Sequence, residues 1–188
     1  MPNYEELYND ARNKYYQAIE NKNNMQRASS ELTSQRNSLI NEINQKQSQL
    51  RSVKYKVLLL QNAENYCASI LGNEVKTMKA SIQATSDEYK KIITSDKGIA
   101  DIQAVYSGDI RSTENDLNSV HGQLKSKRKN MENEAERLQK SINQCSSELN
   151  SVSSRLNNTT MNTWAAQSQV NGYYVQMKAY QKLWENSH

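Results

Sequence analysis

The chain has no phenylalanine, one proline and five glycines in 188 residues. Without Phe, and with few large apolar residues between polar ones, it cannot supply the wide apolar faces that a thick core needs. With Pro only at position 2 and so few Gly, little in the sequence stops a helix once it has begun. Long apolar runs are also missing. The longest, Val57 to Leu60, is far short of the ~20 residues that cross a bilayer. Neither charge sign dominates: 24 basic and 20 acidic residues are mixed along the chain for a net +4. A nucleic-acid binder would concentrate its basic residues on one face. Two cysteines without a CxxC spacing make neither a disulfide framework nor a zinc knuckle. Two histidines and no Gly-rich phosphate loop leave the pattern without a metal or nucleotide site, so no cofactor is expected. The N-terminus, Met1-Pro2-Asn3-Tyr4-Glu5-Glu6, has neither a basic region nor an apolar run. The expectation is a chain without a Sec-type signal peptide that begins in the cytoplasm.

What is present is a period. Mostly apolar or small residues recur at alternating steps of four and three from Tyr4 to Leu71, through Ala11, Ala18, Leu32, Leu39, Leu50, Val57 and Cys67. A second series runs from Leu117 to Trp184, through Leu124, Ala135, Ile142, Val152, Ala166, Val170 and Tyr180. A mean step of ~3.5 residues keeps one seam turned toward a partner helix. Polar residues interrupt it: Lys22, Ser29, Arg36, Lys46 and Glu64 in the first series, Arg128, Thr159 and Thr163 in the second. Such residues lower stability and can specify register or a partner.

The fold expected is all-α, an elongated antiparallel helical hairpin or coiled coil with a short helical segment near the fold-back, forming one domain. The pattern places a long helix at about 3–71, short helices at about 74–93 and 99–106, and a long helix at about 109–186. The phase slips by about one residue at Gly72-Asn73 and resumes as Val75, Met78, Ile82, Thr85, Tyr89 and Ile92. Gly72 and the stretch Thr94 to Gly98 are both candidate fold-back points. Pairing residues whose numbers add to 188 sets Tyr4 against Trp184, Tyr8 against Tyr180 and Tyr15 against Tyr173. It also opposes Lys56 to Glu132 and Lys54 to Glu134, and sets Arg51 near Glu136.

Few residues suggest chemistry. Lys125, Lys127, Arg128 and Lys129 read as a solvated helix face in preference to a phosphate-binding patch. His121 would face Cys67, where a small polar layer fits better than a nucleophile and base, because catalysis needs convergent groups in a pocket. Glu132, Glu134 and Glu136 are spread around their helix by alternate spacing. The aromatics say more. Tyr15-Tyr16 and Tyr173-Tyr174 are adjacent pairs, and one narrow stripe cannot bury both members of each. Tyr16 and Tyr174 are therefore candidates for an interface, where Tyr and Trp are enriched. Trp164 and Trp184 join them as candidate partner-binding residues.

Tyr106-Ser107-Gly108-Asp109, expected between two helical segments, reads aromatic-x-Gly-acidic. It resembles the turn of the Trp-x-Gly helical hairpins exported by type VII secretion systems of Gram-positive bacteria. The whole chain resembles their longer all-helical LXG-type relatives. Tyr16-Gln17-Ala18-Ile19-Glu20 is similar to the Tyr-x-x-x-Asp/Glu export pattern of that family, although it lies near the N-terminus, whereas the family's signal follows the hairpin. Tyr106 stands where the family has Trp. The resemblance implies export without a Sec signal and adds Tyr106 and Gly108 to the candidate partner-binding residues. The expected function is a non-enzymatic interaction protein, a type VII substrate or a co-secreted partner or chaperone of a larger toxin. The partner would be another helical protein, or a second copy in a scaffold unrelated to secretion. No small-molecule substrate is expected, and the composition argues against nucleic acid and membrane.

Overall fold

A computed structural model describes residues 3–92 and 96–186. Helix α1 spans Tyr4–Ser69, a π-helical turn spans Ile70–Glu74, α2 spans Val75–Ile92 and α3 spans Asp96–Glu185. The chain is an all-α helical hairpin. It divides into two units, each of which pairs one stretch of the outgoing arm with one of the returning arm: residues 1–46 with 141–188, and residues 47–140.

Asn3 starts α1. Its side-chain oxygen accepts the backbone N–H of Glu6 at 3.2 Å, and its amide donates to the Glu6 carboxylate at 3.4 Å. An N-cap residue thus satisfies one of the orphan donors of the first turn, and Glu5 and Glu6 sit at the positive end of the dipole. No described residue other than glycine has a positive φ, and no described glycine has one either.

The seam lies where the period puts it. Every position of the second series from Leu117 to Trp184 is buried or half-buried, and in the first series from Tyr4 to Leu71 only Arg36 is exposed. In the first unit Ala11, Ala18, Leu32, Ile142, Cys145, Val152, Ala166 and Val170 are buried. In the second, Leu50, Val53, Cys67 and Val75 are. No described side chain is completely enclosed, as a single stripe between two helices requires. The chain exposes 13755 Å², against roughly 9,200 Å² for a compact protein of this mass.

The register falls within one seam step of the expected one. Tyr8 stacks on Trp184, one step beyond Tyr180, and Tyr15 meets Tyr174 beside Tyr173. Lys46 reaches Ser141. The flanking charges differ from expectation. Glu132 pairs with Arg128 of its own helix, one turn away at 2.6 Å, and Arg51, Lys54, Glu134 and Glu136 stand exposed.

Two helix boundaries also differ. The chain does not fold back at Gly72, and Tyr106 to Asp109 is not a turn. Helix α3 runs unbroken through the expected segments at 99–106 and 109–186 and includes Gly98. A Ser-Gly-Asp triplet costs helix propensity, on the order of 1 kcal/mol for the glycine. Just beyond it Ile110 and Glu114 are half-buried, and Glu114 pairs with Lys79 of α2, so contacts with the other arm favour the helix there. The fold-back expected at residue 94 lies outside the described residues, as do the side chains of Tyr89 and Ile92.

At Gly72 the helix absorbs one extra residue. The Val75 N–H bonds to the carbonyl of Ile70, five residues back, which is the π-helical pattern. Gly72 and Asn73 are poor α-formers, so the change costs least there. The extra residue explains the phase slip. After Leu71 the inward positions become Val75, Ile82 and Ser86; the expected Met78 and Thr85 are exposed. Deleting Asn73 should turn the π turn into an α turn and leave Val75, Ile82 and Ser86 on the seam. The melting temperature of that variant should match or exceed the parent's. Deleting Asn62, within α1, rotates the downstream residues out of phase and should lower it by many degrees. A deletion at 73 as damaging as that at 62 would refute this account.

Candidate interaction surfaces

In the first unit, α1 and α3 bring an aromatic group together. Tyr15 is half-buried on the seam, its ring 5.5 Å from Tyr16 and 5.6 Å from Tyr174, tilted against both. The Arg12 guanidinium lies 5.8 Å above the Tyr16 ring, within cation–π range. Adjacent residues on a helix diverge by about 100°, so Tyr15 and Tyr173 turn inward while Tyr16 and Tyr174 turn out, 55% and 45% exposed. The result is a small amphipathic face anchored on a half-buried ring. Close by in sequence, Lys14 pairs with Asp10 at 2.7 Å, and that hydrogen bond raises the lysine's pKa.

The remaining candidates are placed differently. Trp184 is half-buried and stacked on Tyr8, with ring centroids 5.7 Å apart, at the end of the seam. Trp164 is 75% exposed on the outer side of α3, away from the seam. Tyr106 and Gly108 belong to the second unit. Tyr106 is exposed, and Gly108 lines an open groove with Lys79, Gln83, Arg111 and Glu114. Exposed Tyr55, Leu58, Leu59 and Tyr66 on α1 were not anticipated. Tyr55, Leu59, Asn62 and Tyr66 follow steps of four, three and four, so the periodicity that revealed the seam could also have revealed this outer stripe.

Several polar interruptions of the seam have partners across or along the hairpin. Glu64 on α1 accepts from Arg128 Nε at 2.7 Å, and Arg128 also holds Glu132. Lys46 donates to Ser141 Oγ at 2.6 Å, lies 3.8 Å from the Cys145 sulfur, and pairs with Glu42 at 2.7 Å. Thr163 donates to the Thr159 carbonyl on its own helix. The thiol of Cys67 points to the Leu117 carbonyl at 3.4 Å, one turn before His121. Among the described residues no group of three or more His, Cys, Asp or Glu could hold a metal ion.

The hydrogen bond from Arg128 holds the Glu64 carboxyl below its ordinary pKa, and Lys46 does the same for Glu42. A carboxylate whose pKa is depressed by folding stabilises above its unfolded value, and that contribution fades as pH falls through the native one. The thermal midpoint should therefore drop increasingly as pH falls below the ordinary glutamate value of about 4.3. Glu64→Gln should flatten part of that slope in circular-dichroism melts, and an unchanged slope would refute the assignment. Arg128→Leu alone, which strands Glu64, should lower the midpoint more than Arg128→Leu combined with Glu64→Leu.

Comparison with known protein families, characterised proteins and solved structures gives no match to this chain.

Proposed function

We propose that this chain is a non-enzymatic helical interaction protein and that its partner is another helical protein. The observation that carries the reading is the Tyr15–Tyr16–Tyr174 group with Arg12 over it. Tyrosine and arginine anchor interfaces because they combine large contact area with directional polar ends. Here a half-buried ring holds two exposed ones in place, so little side-chain freedom is lost on docking. The seam groups Lys46, Glu64 and Arg128 have partners across or along the hairpin, and the grooves between the helices are open. This suits a partner laid along a helix face better than a small substrate enclosed in a pocket.

In its concrete form the protein is a type VII secretion-associated substrate or a co-secreted partner of a larger toxin. The all-α hairpin supports this form, as does the exposure of Tyr16 on α1. Tyr106-Ser107-Gly108-Asp109 lends it no support, because these residues lie within a helix. A scaffold built on self-association is the second reading, favoured by the exposed outer side of α3.

Affinity purification of the tagged chain from its native host, followed by titration calorimetry with the recovered protein, tests the proposal. A helical protein should be recovered in stoichiometric amount. Tyr16→Ala and Tyr174→Ala should each weaken its binding about tenfold, in the range for interface anchors, without changing helicity. Recovery of the chain alone, or binding indifferent to both substitutions, would sink the reading.

A further inference from the structure

In the second unit, the side of α1 turned away from the seam carries another line of residues. Ser52, Tyr55, Leu59, Asn62 and Tyr66 follow steps of three, four, three and four, and all are exposed. Tyr55 is 62% exposed and Tyr66 70%, with exposed Leu58 and Leu59 between them. The charges beside this line have one sign. Arg51 and Lys56 stand on its two flanks, with Lys54 just outside, and all three are exposed. Lys79 and Arg128 of the same unit are paired with carboxylates, whereas Arg51, Lys54 and Lys56 make no ion pair among the described residues. Between Lys46 and Ser69 the only acidic residue is Glu64, which is on the seam and held by Arg128. The exposed carboxylates Glu134 and Glu136 are on α3, across the seam.

We infer that this line is a second, short coiled-coil seam, and that its occupant is a helix of a partner protein with acidic residues flanking its own apolar stripe. Flanking positions carry the charges that choose a coiled-coil partner. Three unpaired cations select carboxylates there and repel a basic helix. A second copy docked face to face would bring the same cations together, so the line does not suit self-pairing. It suits a lipid surface less well than a helix. Its 3.5-residue repeat interlocks with another helix, and Asn62 in its middle can meet a matching polar residue there but finds no hydrogen bond in hydrocarbon. From Arg51 to Tyr66 the face runs about 24 Å at 1.5 Å per residue. Two heptads make a transient contact, in the class below roughly 1,200 Å² in total. The hairpin already holds α1 helical, so the ordering cost falls on the partner alone. This face is apart from Tyr16 and Tyr174 of the first unit, and the inference shares with the proposed function only the class of partner.

The test is fluorescence anisotropy of two labelled synthetic three-heptad peptides titrated with the full chain. Both carry Leu and one Asn on their stripe; one has Glu at its flanks and the other Lys. The Glu peptide should bind reversibly, at least tenfold more tightly than the Lys peptide, and added salt should weaken it. Arg51→Glu combined with Lys56→Glu should reverse the preference. Leu59→Ala and Tyr66→Ala should each weaken binding about tenfold with helicity unchanged, since both side chains are exposed. Tyr16→Ala and Tyr174→Ala should leave it unchanged. Equal binding of the two peptides, binding of neither, or a preference unmoved by the charge reversal overturns the inference. So does adsorption to phosphatidylglycerol–phosphatidylcholine vesicles through Tyr55 and Tyr66 by a chain that ignores the Glu peptide. Failure here with a partner still bound through Tyr16 and Tyr174 leaves the proposed function intact.

Discussion

A seam one residue wide has to stay in phase through every turn of both arms, and the rest of the molecule is arranged around that requirement. An α-helix that keeps a 3.5-residue repeat can hold its stripe against a partner only if no residue is gained or lost. One is gained between Leu71 and Val75, and the π-helical turn takes it up within five residues. Downstream, Val75, Ile82 and Ser86 return to the inner side, and the exposed Lys79 reaches across to Glu114 of α3. Without that local change of winding, Met78 and Thr85 would face inward and the buried valine would turn to solvent.

The same narrowness gives the polar interruptions their meaning. A lone Glu64 or Arg128 in the seam would be a defect; together, with Glu132, they form a layer that only one alignment of the arms satisfies. Partly buried pairs of this kind add little stability over an apolar pair, and their best-attested use is to fix register. Lys46 with Ser141 and Glu42 plays the corresponding part in the other unit. The seam thus gives up apolar contact for a defined alignment, and it is this alignment that brings Tyr15 of one arm beside Tyr174 of the other.

The inner positions were legible because period alone determines them, and Arg36 departs because a long charged stem can swing outward at no cost to its neighbours. The outward turn of Tyr16 and Tyr174 followed from the divergence of adjacent residues. The continuity of α3 through Ser107-Gly108-Asp109 was not legible, since local propensity there favours a turn and contacts made elsewhere in the hairpin decide the matter. The slip at Gly72 could be seen, but not which side of it Met78 and Thr85 would fall on, because one residue of phase separates the two answers. Lys56–Glu132 failed as a pair because Arg128 reaches Glu132 within a single helix turn. The stripe at Tyr55–Tyr66 shares the seam's period but not its phase, so the stronger inner signal masks it.

The large exposed area has a thermal consequence. Heat capacity of unfolding grows with the apolar surface that unfolding exposes, about 12–15 cal/mol/K per residue for ordinary globular domains. A chain that already shows so much of its surface when folded has less to expose, so its value per residue lies below that range. The curve of stability against temperature is correspondingly shallow, with no sharp optimum.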